Sequence, residues 1–153
     1  MGYEFKIDIF PVNANKVGNY FEDLQDKFGE INPEFLVENA RDEGSLLHDC
    51  FEWNDSIAAE SYRVEQAKNL IRTLVKIEKT GNSETVTRAV VSVRLSECDT
   101  RRYCMTSVVM KNDYAREMLL REALRDCKAF EDRYKSLEEV RSVIEAIGNL
   151  NAK

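Results

Sequence analysis

Hydrophobic positions change period along the chain, and each period predicts an element. Tyr3, Phe5, Ile7 and Ile9 alternate with Glu4, Lys6 and Asp8. This predicts a short half-buried strand or extended arm that Pro11 stops. From Asn13 the spacing becomes helical. Val17, Tyr20, Phe21, Leu24 and Phe28 share one face, and Gly29 is a natural stop. Asn32-Pro33 is a second helix start, with Asn as cap and Pro in the first turn, and Gly44 is its expected end. Leu36, Val37 and Ala40 form its apolar face, while Glu34, Glu38 and Asp42 share an exposed acidic one.

The stretch 46–72 is the densest in information. Leu46, Leu47, Phe51 and Trp53 are too apolar for a free loop and predict a buried turn or short helix. Asn54, Asp55 and Ser56 form a cap cluster. A third helix then carries Ala58, Ala59, Tyr62, Ala67, Leu70 and Ile71. Trp53 precedes the cap, where it can staple onto the first turn.

After about residue 73 the period falls to two. Val75 and Ile77 alternate with Lys76 and Glu78, and Thr80-Gly81-Asn82-Ser83 is a hairpin signal. Thr87, Ala89, Val91, Val93 and Leu95 form one face of a second strand, and 103–110 a third. Asn112-Asp113 caps a long helix with Leu120, Ala123, Leu124, Cys127, Phe130 and Tyr134 on its apolar face. Ser136 and Glu139 match a capping box before a last helix with Val140, Val143, Ile144 and Ile147, stopping at Gly148. The expectation is one α+β domain over 1–153: a helical N-terminal head (about 13–72), a three-stranded antiparallel meander (about 73–111) and two C-terminal helices (about 113–148).

Composition fits an ordered globule, with 43% apolar and 33% charged residues and only 6 Gly and 2 Pro. No apolar run approaches the roughly 18 residues of a membrane span, so no membrane partner is expected. The start MGYEFKIDIFPV lacks the pattern of a signal peptide. The expected location is therefore the cytoplasm, with Cys50, Cys98, Cys104 and Cys127 as reduced thiols. Charge is uneven. Residues 1–62 hold 4 Lys/Arg against 14 Asp/Glu, residues 63–111 hold 10 against 5, and residues 112–153 hold 8 against 9.

Chemistry is sparse. His48, Asp49, Cys50 and Glu52 invite a nucleophilic or zinc reading, but His48 is the only His and no Cys pair has metal-site spacing. A deaminase needs H-x-E with C-x-x-C, and phosphate-loop, dinucleotide and hydrolase signatures are absent. No catalytic residue, metal or cofactor is assigned. The candidate pocket residues are His48, Glu52, Trp53, Asp55 and Arg63. Arg63 lies one turn after Ala59 and can clamp Asp49, Glu52 or Asp55. Phe51 and Trp53 are core anchors or, alternatively, a base-stacking platform. Lys76, Arg88, Arg94, Arg101 and Arg102 are candidate phosphate contacts on the basic hairpin region. A helix-turn-helix would instead present Arg63, Gln66 and Asn69 to a groove. Acidic helices imitating phosphates are a further alternative.

The run LLHDCFEWNDSIAAESYRVEQAKNLI resembles a motif of small uncharacterised bacteriophage and prophage proteins, roughly S-P-L-H-x-x-F-E-W-D-D-S-x-A-A-x-x-Y-R-x-x-Q-A-R-x-L-I. Ser45, Leu47, His48, Phe51, Glu52, Trp53, Asp55, Ser56, Ala58, Ala59, Tyr62, Arg63, Gln66, Ala67, Leu70 and Ile71 fit it. Leu46, Asn54 and Lys68 depart from it, so a role needing a bidentate Arg at 68 is not carried over. Ile31-Asn32-Pro33-Glu34 and Arg88-Ala89-Val90-Val91-Ser92 are similar to the family's outer parts. The resemblance implies a phage origin and a shared fold, with no known reaction. The leading expectation is a non-enzymatic interaction module that binds a phage or host protein or forms a homo-oligomer in the host cytoplasm, with the virion left open. Nucleic-acid binding by the basic region and an enzyme at the His48–Glu52 loop are the alternatives.

Overall fold

The computed structural model describes residues 2–54 and 57–151. Strand β1 (Gly2–Phe5) leads into helices α1 (Ala14–Phe28) and α2 (Pro33–Ala40), and a 3-10 turn at His48–Cys50 precedes α3 (Ile57–Thr73). Strands β2 (Leu74–Thr80), β3 (Ser83–Arg88), β4 (Val90–Val93) and β5 (Arg102–Met105) follow. A short α4 (Thr106–Val109), a long α5 (Asp113–Tyr134), a 3-10 turn at Glu138–Val140 and α6 (Arg141–Asn151) complete the chain. The class is α+β, with a helical head, a three-stranded antiparallel sheet and C-terminal helices.

The helix starts form as their cap residues dictate. Asn13 Oδ1 accepts from the Lys16 amide and Asn32 Oδ1 from the Phe35 amide, with Pro33 in the first turn. Gly29 closes α1 at φ 74°, a conformation that costs other residues. Helix α2 stops at Ala40, before the expected Gly44, because the Arg41 amide already closes a tighter turn on the Glu38 carbonyl.

The three-stranded sheet has a different membership from the expected meander. Its order is β1-β2-β3, with Tyr3 opposite Lys76 and Lys76 opposite Thr87. The β2–β3 hairpin turns where expected, through Gly81 at φ 60°, with Thr80 opposite Ser83. The third strand comes from the N-terminus. Its alternation ends at Phe5, leaving Ile7 and Ile9 exposed. Tyr3 lies on Gly18 of α1, donates its hydroxyl to Glu22 at 2.5 Å, and offers its amide to Asn15 Oδ1 at 2.7 Å.

The strand expected through 87–95 breaks at Ala89. The Ala89 amide still bonds Leu74, but its carbonyl accepts from Thr106. Beyond it β4 pairs only with β5 in a separate two-stranded sheet. The expected strand 103–110 likewise ends at Met105. The Thr106 amide and hydroxyl are taken by the Ala89 and Arg88 carbonyls, and one helical turn follows that buries Val109.

Two cores result. The larger joins Val17, Phe21, Leu36, Val37, Leu47, Phe51, Leu70, Ile71 and Leu74, and the smaller joins Val93, Cys104, Val109 and Ala115, with Leu119 packed against it. Buried Gln25 of α1 accepts from the Met105 amide at 2.8 Å, tying the head to β5. The C-terminal hairpin departs most from expectation. Ser136 does not cap; the Glu138–Val140 turn begins at Leu137 without a side-chain cap, and α6 runs through Gly148. Among residues 113–150, only Ala115 and Ile147 are buried.

Candidate functional site

The end of α2, the 3-10 turn and one face of α3 meet in a cluster of side chains that clasps the turn, called the clasp below. Leu47 and Phe51 anchor the turn in the core, at 1% and 7% exposure, while Leu46 stays outside. That anchoring sets His48 and Trp53 against each other, their rings stacked at 5.1 Å and 12°. The Ala40 carbonyl accepts from His48 Nδ1 at 2.8 Å, which places a proton on that nitrogen. The Trp53 indole N–H donates to the His48 carbonyl at 2.9 Å.

Arg63 enters from α3 with only 2% exposure. Its Nε donates to the Glu52 carbonyl at 2.6 Å and its Nη1 to Glu60 at 3.1 Å. Its guanidinium lies 4.9 Å from the Trp53 ring, within cation–π range. Arg41 reaches Glu60 at 2.8 Å and Glu38 at 2.9 Å, with its guanidinium 5.8 Å from the same ring. The Arg63 hydrogen bond, aided by Arg41, holds the Glu60 carboxyl below the usual carboxylate range. Gln66 accepts from the Glu52 amide at 3.2 Å, and Glu52 Oε1 accepts from the Asn54 amide at 3.1 Å.

The structure therefore brings His48, Glu52, Trp53 and Arg63 into one constellation, and Asp55 and Ser56 lie outside the described residues. The Trp53 indole, Glu52 Oε1 and Arg63 Nε bond backbone groups of the loop, while His48 bonds the end of α2 and Arg63 Nη1 the Glu60 carboxylate. The indole carries His48 and two guanidinium groups beside it, which leaves little of its face for a nucleobase. Arg63 faces inward, so α3 cannot present it to a DNA groove. A surface cavity of about 370 Å³ adjoins the loop, lined by Phe10, Asp49, Phe51, Glu52, Tyr62 and Gln66 among others. His48, Trp53 and Arg63 do not line it. Cys50 lies at its edge, but burial, with the Asp49 charge, pushes its thiol up to about 11. A thiol so raised is a poor nucleophile at neutral pH. Among the described residues no group of three His, Cys, Asp or Glu could hold a metal ion.

The five basic candidates divide. Lys76 and Arg88 border one shallow groove on the three-stranded sheet. Arg94 follows β4, and Arg101 and Arg102 stand at the start of β5. Lys76 pairs with Glu78 at 3.2 Å, Arg101 with Glu122 at 2.6 Å, and Arg102 with Asp99 at 3.2 Å. Arg101 also donates to the Ser92 carbonyl at 2.7 Å, so it fastens α5 to β4. Arg88 and Arg94 have no carboxylate within 4.0 Å among the described residues.

No protein family, curated protein or solved structure matches the chain. Among the described residues no helix is long and apolar enough to cross a membrane.

Two features were missed in the sequence. Gln25 reads as an ordinary polar helix residue, yet it is 6% exposed and carries a link between elements. Its only signal is its place next to Leu24, at the edge of the apolar face. The second is the exposed apolar surface of the last two helices. Leu120 is 53% exposed, Val143 48% and Leu150 56%. The apolar stripes of both helices are legible in the sequence, at Leu120, Ala123 and Leu124 and at Val143, Ile144 and Ile147, but periodicity does not say how much of them stays exposed.

Proposed function

We propose that the protein is a non-enzymatic interaction module, and that its C-terminal hairpin, α5 with α6, is the surface that docks onto a protein. One observation carries this reading: residues 113–150 bury only Ala115 and Ile147 while leaving Leu120, Leu137 and Val143 about half exposed. Two helices alone cannot cover both of their apolar stripes, and a third layer is the usual solution. The head has the opposite character. His48, Trp53 and Arg63 hold a loop in place, and they do not line the adjoining cavity. The resemblance to bacteriophage and prophage proteins supports a setting inside an infected or lysogenic bacterium, with a phage or host protein as partner.

A photo-crosslinking residue at position 120 tests the reading in cells expressing the full chain, with the exposed position 16 of α1 as control. Protein adducts from 120 and none from 16 support it. No adduct from 120, or equal adducts from both, overturns it.

A further inference from the structure

We propose that β3 is a pairing edge, and that it joins β3 of a second copy of this chain across a two-fold axis at Val86. Two three-stranded sheets then become one continuous sheet. The inference concerns a different surface from the C-terminal hairpin and does not depend on it.

The sheet order β1-β2-β3 leaves two outer edges. On β1 the Tyr3 amide is taken by Asn15 of α1. On β3 all six residues are exposed and no strand lies beyond them. The register fixes which of its groups face outward. Thr80 lies opposite Ser83 across the turn, and the Ala89 amide bonds the Leu74 carbonyl. Hydrogen-bonded pairs alternate along an antiparallel ladder, so Ser83, Thr85, Thr87 and Ala89 bond towards β2. Glu84, Val86 and Arg88 turn their amides and carbonyls away from it. The Thr106 hydroxyl takes the Arg88 carbonyl at 2.6 Å and closes the edge beyond that point. The strand reads Ser-Glu-Thr-Val-Thr-Arg, without the Lys, Pro or bulge that commonly guards an open edge.

The edge is its own complement. Antiparallel pairing centred on Val86 sets Val86 against the partner's Val86, Thr85 against the partner's Thr87, and Glu84 against the partner's Arg88. The two-fold axis makes the last two pairings twice. Opposite residues share a face, so the two ion pairs flank the valines on one side and the threonines meet on the other. Val86 is 54% exposed in the single chain and is covered by this pairing. The Val86 amide donates to the partner's Val86 carbonyl and the Arg88 amide to the partner's Glu84 carbonyl, four bonds in all by symmetry. They leave the Arg88 carbonyl to Thr106. Moving the register by two residues either way shortens the ladder and loses both ion pairs.

That self-complementarity is what selects a second copy. Another segment would need, in reverse order, a base opposite Glu84, a β-branched residue midway and an acid opposite Arg88, which is what β3 itself carries. Each copy spends one edge, and the other lies against α1, so assembly closes at two. A ladder this short belongs with the transient interfaces, below about 1,200 Å² in all, so the dimer is expected only at high concentration.

Sedimentation velocity on the full chain, from about 10 μM to about 2 mM, tests this. The expected result is a concentration-dependent shift from 17.7 kDa towards twice that mass. Val86→Pro removes an outward amide and none that bonds β2, so it is expected to abolish the shift with an unchanged far-UV spectrum. Glu84→Arg and Arg88→Glu, made separately, each set like charges opposite one another and should weaken the dimer by about 10-fold. Mixed in equal amounts, the two variants restore both unlike pairs and should dimerise with each other as the wild type does. These charge variants keep every backbone bond, so they decide the matter even where Val86→Pro perturbs the fold. A wild type that stays monomeric throughout overturns the proposal. So does a dimer indifferent to the charge variants, or one that their mixture fails to restore.

Discussion

Gly18 is the point at which the N-terminal strand is locked to the first helix, and replacing it with Ala should be costly. A Cβ there would sit 2.0 Å from Tyr3 Cδ2 and 2.3 Å from Tyr3 Cγ. The ring cannot stay, and it is 93% removed from solvent, being 7% exposed. A buried aromatic hides about 150–250 Å², worth about 4–6 kcal/mol at 25 cal/mol per Å². Its hydroxyl bond to Glu22 at 2.5 Å adds about 1.5–3 kcal/mol as a charge-assisted contact. Partial relaxation keeps some of each, and overpacking elsewhere typically costs about 1–3 kcal/mol. Against this, Gly→Ala inside a helix gains about 1 kcal/mol. The net expectation for Gly18→Ala is a loss of about 2–4 kcal/mol, or on the order of 5–15 °C in Tm for a chain of this size. Gly148→Ala is the control. It is also helical, but a Cβ there meets nothing within 4 Å, so a gain of about 0.5–1 kcal/mol is expected. Urea unfolding followed by far-UV ellipticity measures both. If Gly18→Ala is as stable as wild type or more so, the Tyr3 ring does not rest on Gly18 and β1 is not docked as described.

Other perturbations follow from the same contacts. Arg63→Lys loses the fork joining the Glu52 carbonyl to Glu60, and should cost about 1–3 kcal/mol. It should also change the emission of Trp53, the chain's only Trp, so unchanged emission and stability would contradict the clasp. Gln25→Met leaves the buried Met105 amide without its acceptor, for a loss of about 1–3 kcal/mol in the same unfolding assay. Burial raises the thiols of Cys50 and Cys104 to about 11 each. The folded state then holds protons that the unfolded state releases above about pH 8.5, so stability should fall as pH rises from 9 towards 11, by at most ~1.4 kcal/mol per pH unit for each thiol. At pH 8 a thiol reagent should modify exposed Cys98 in the native protein and spare Cys50 and Cys104.

Helix ends and tight turns are legible in the sequence because their physics is local. Asn13, Asn32-Pro33 and Gly29 mark helix ends by hydrogen bonds made within a few residues. Gly81 marks the hairpin by its own φ. Strand partnership is not local. Alternation at Tyr3 and Phe5 states that one face is buried but not that β2 lies alongside, and the β-branched run from Thr87 to Val93 hides the change of sheet at Ala89. In the clasp, the inward turn of Arg63 towards Glu52 was legible from spacing. The bond from His48 to the Ala40 carbonyl was not, because it depends on where a preceding helix happens to end. The apolar face of α5 was identified by residue, but periodicity cannot say whether such a face meets its own chain or another.

The central claim is that the C-terminal hairpin lacks a core of its own and is completed by a partner. Amide hydrogen exchange in dilute protein tests it most directly, because protection reports local opening along each helix. Residues 120–150 are expected to exchange much faster than α1 and α3. Protection in 120–150 that equals that of α1 and α3 in dilute solution would contradict it.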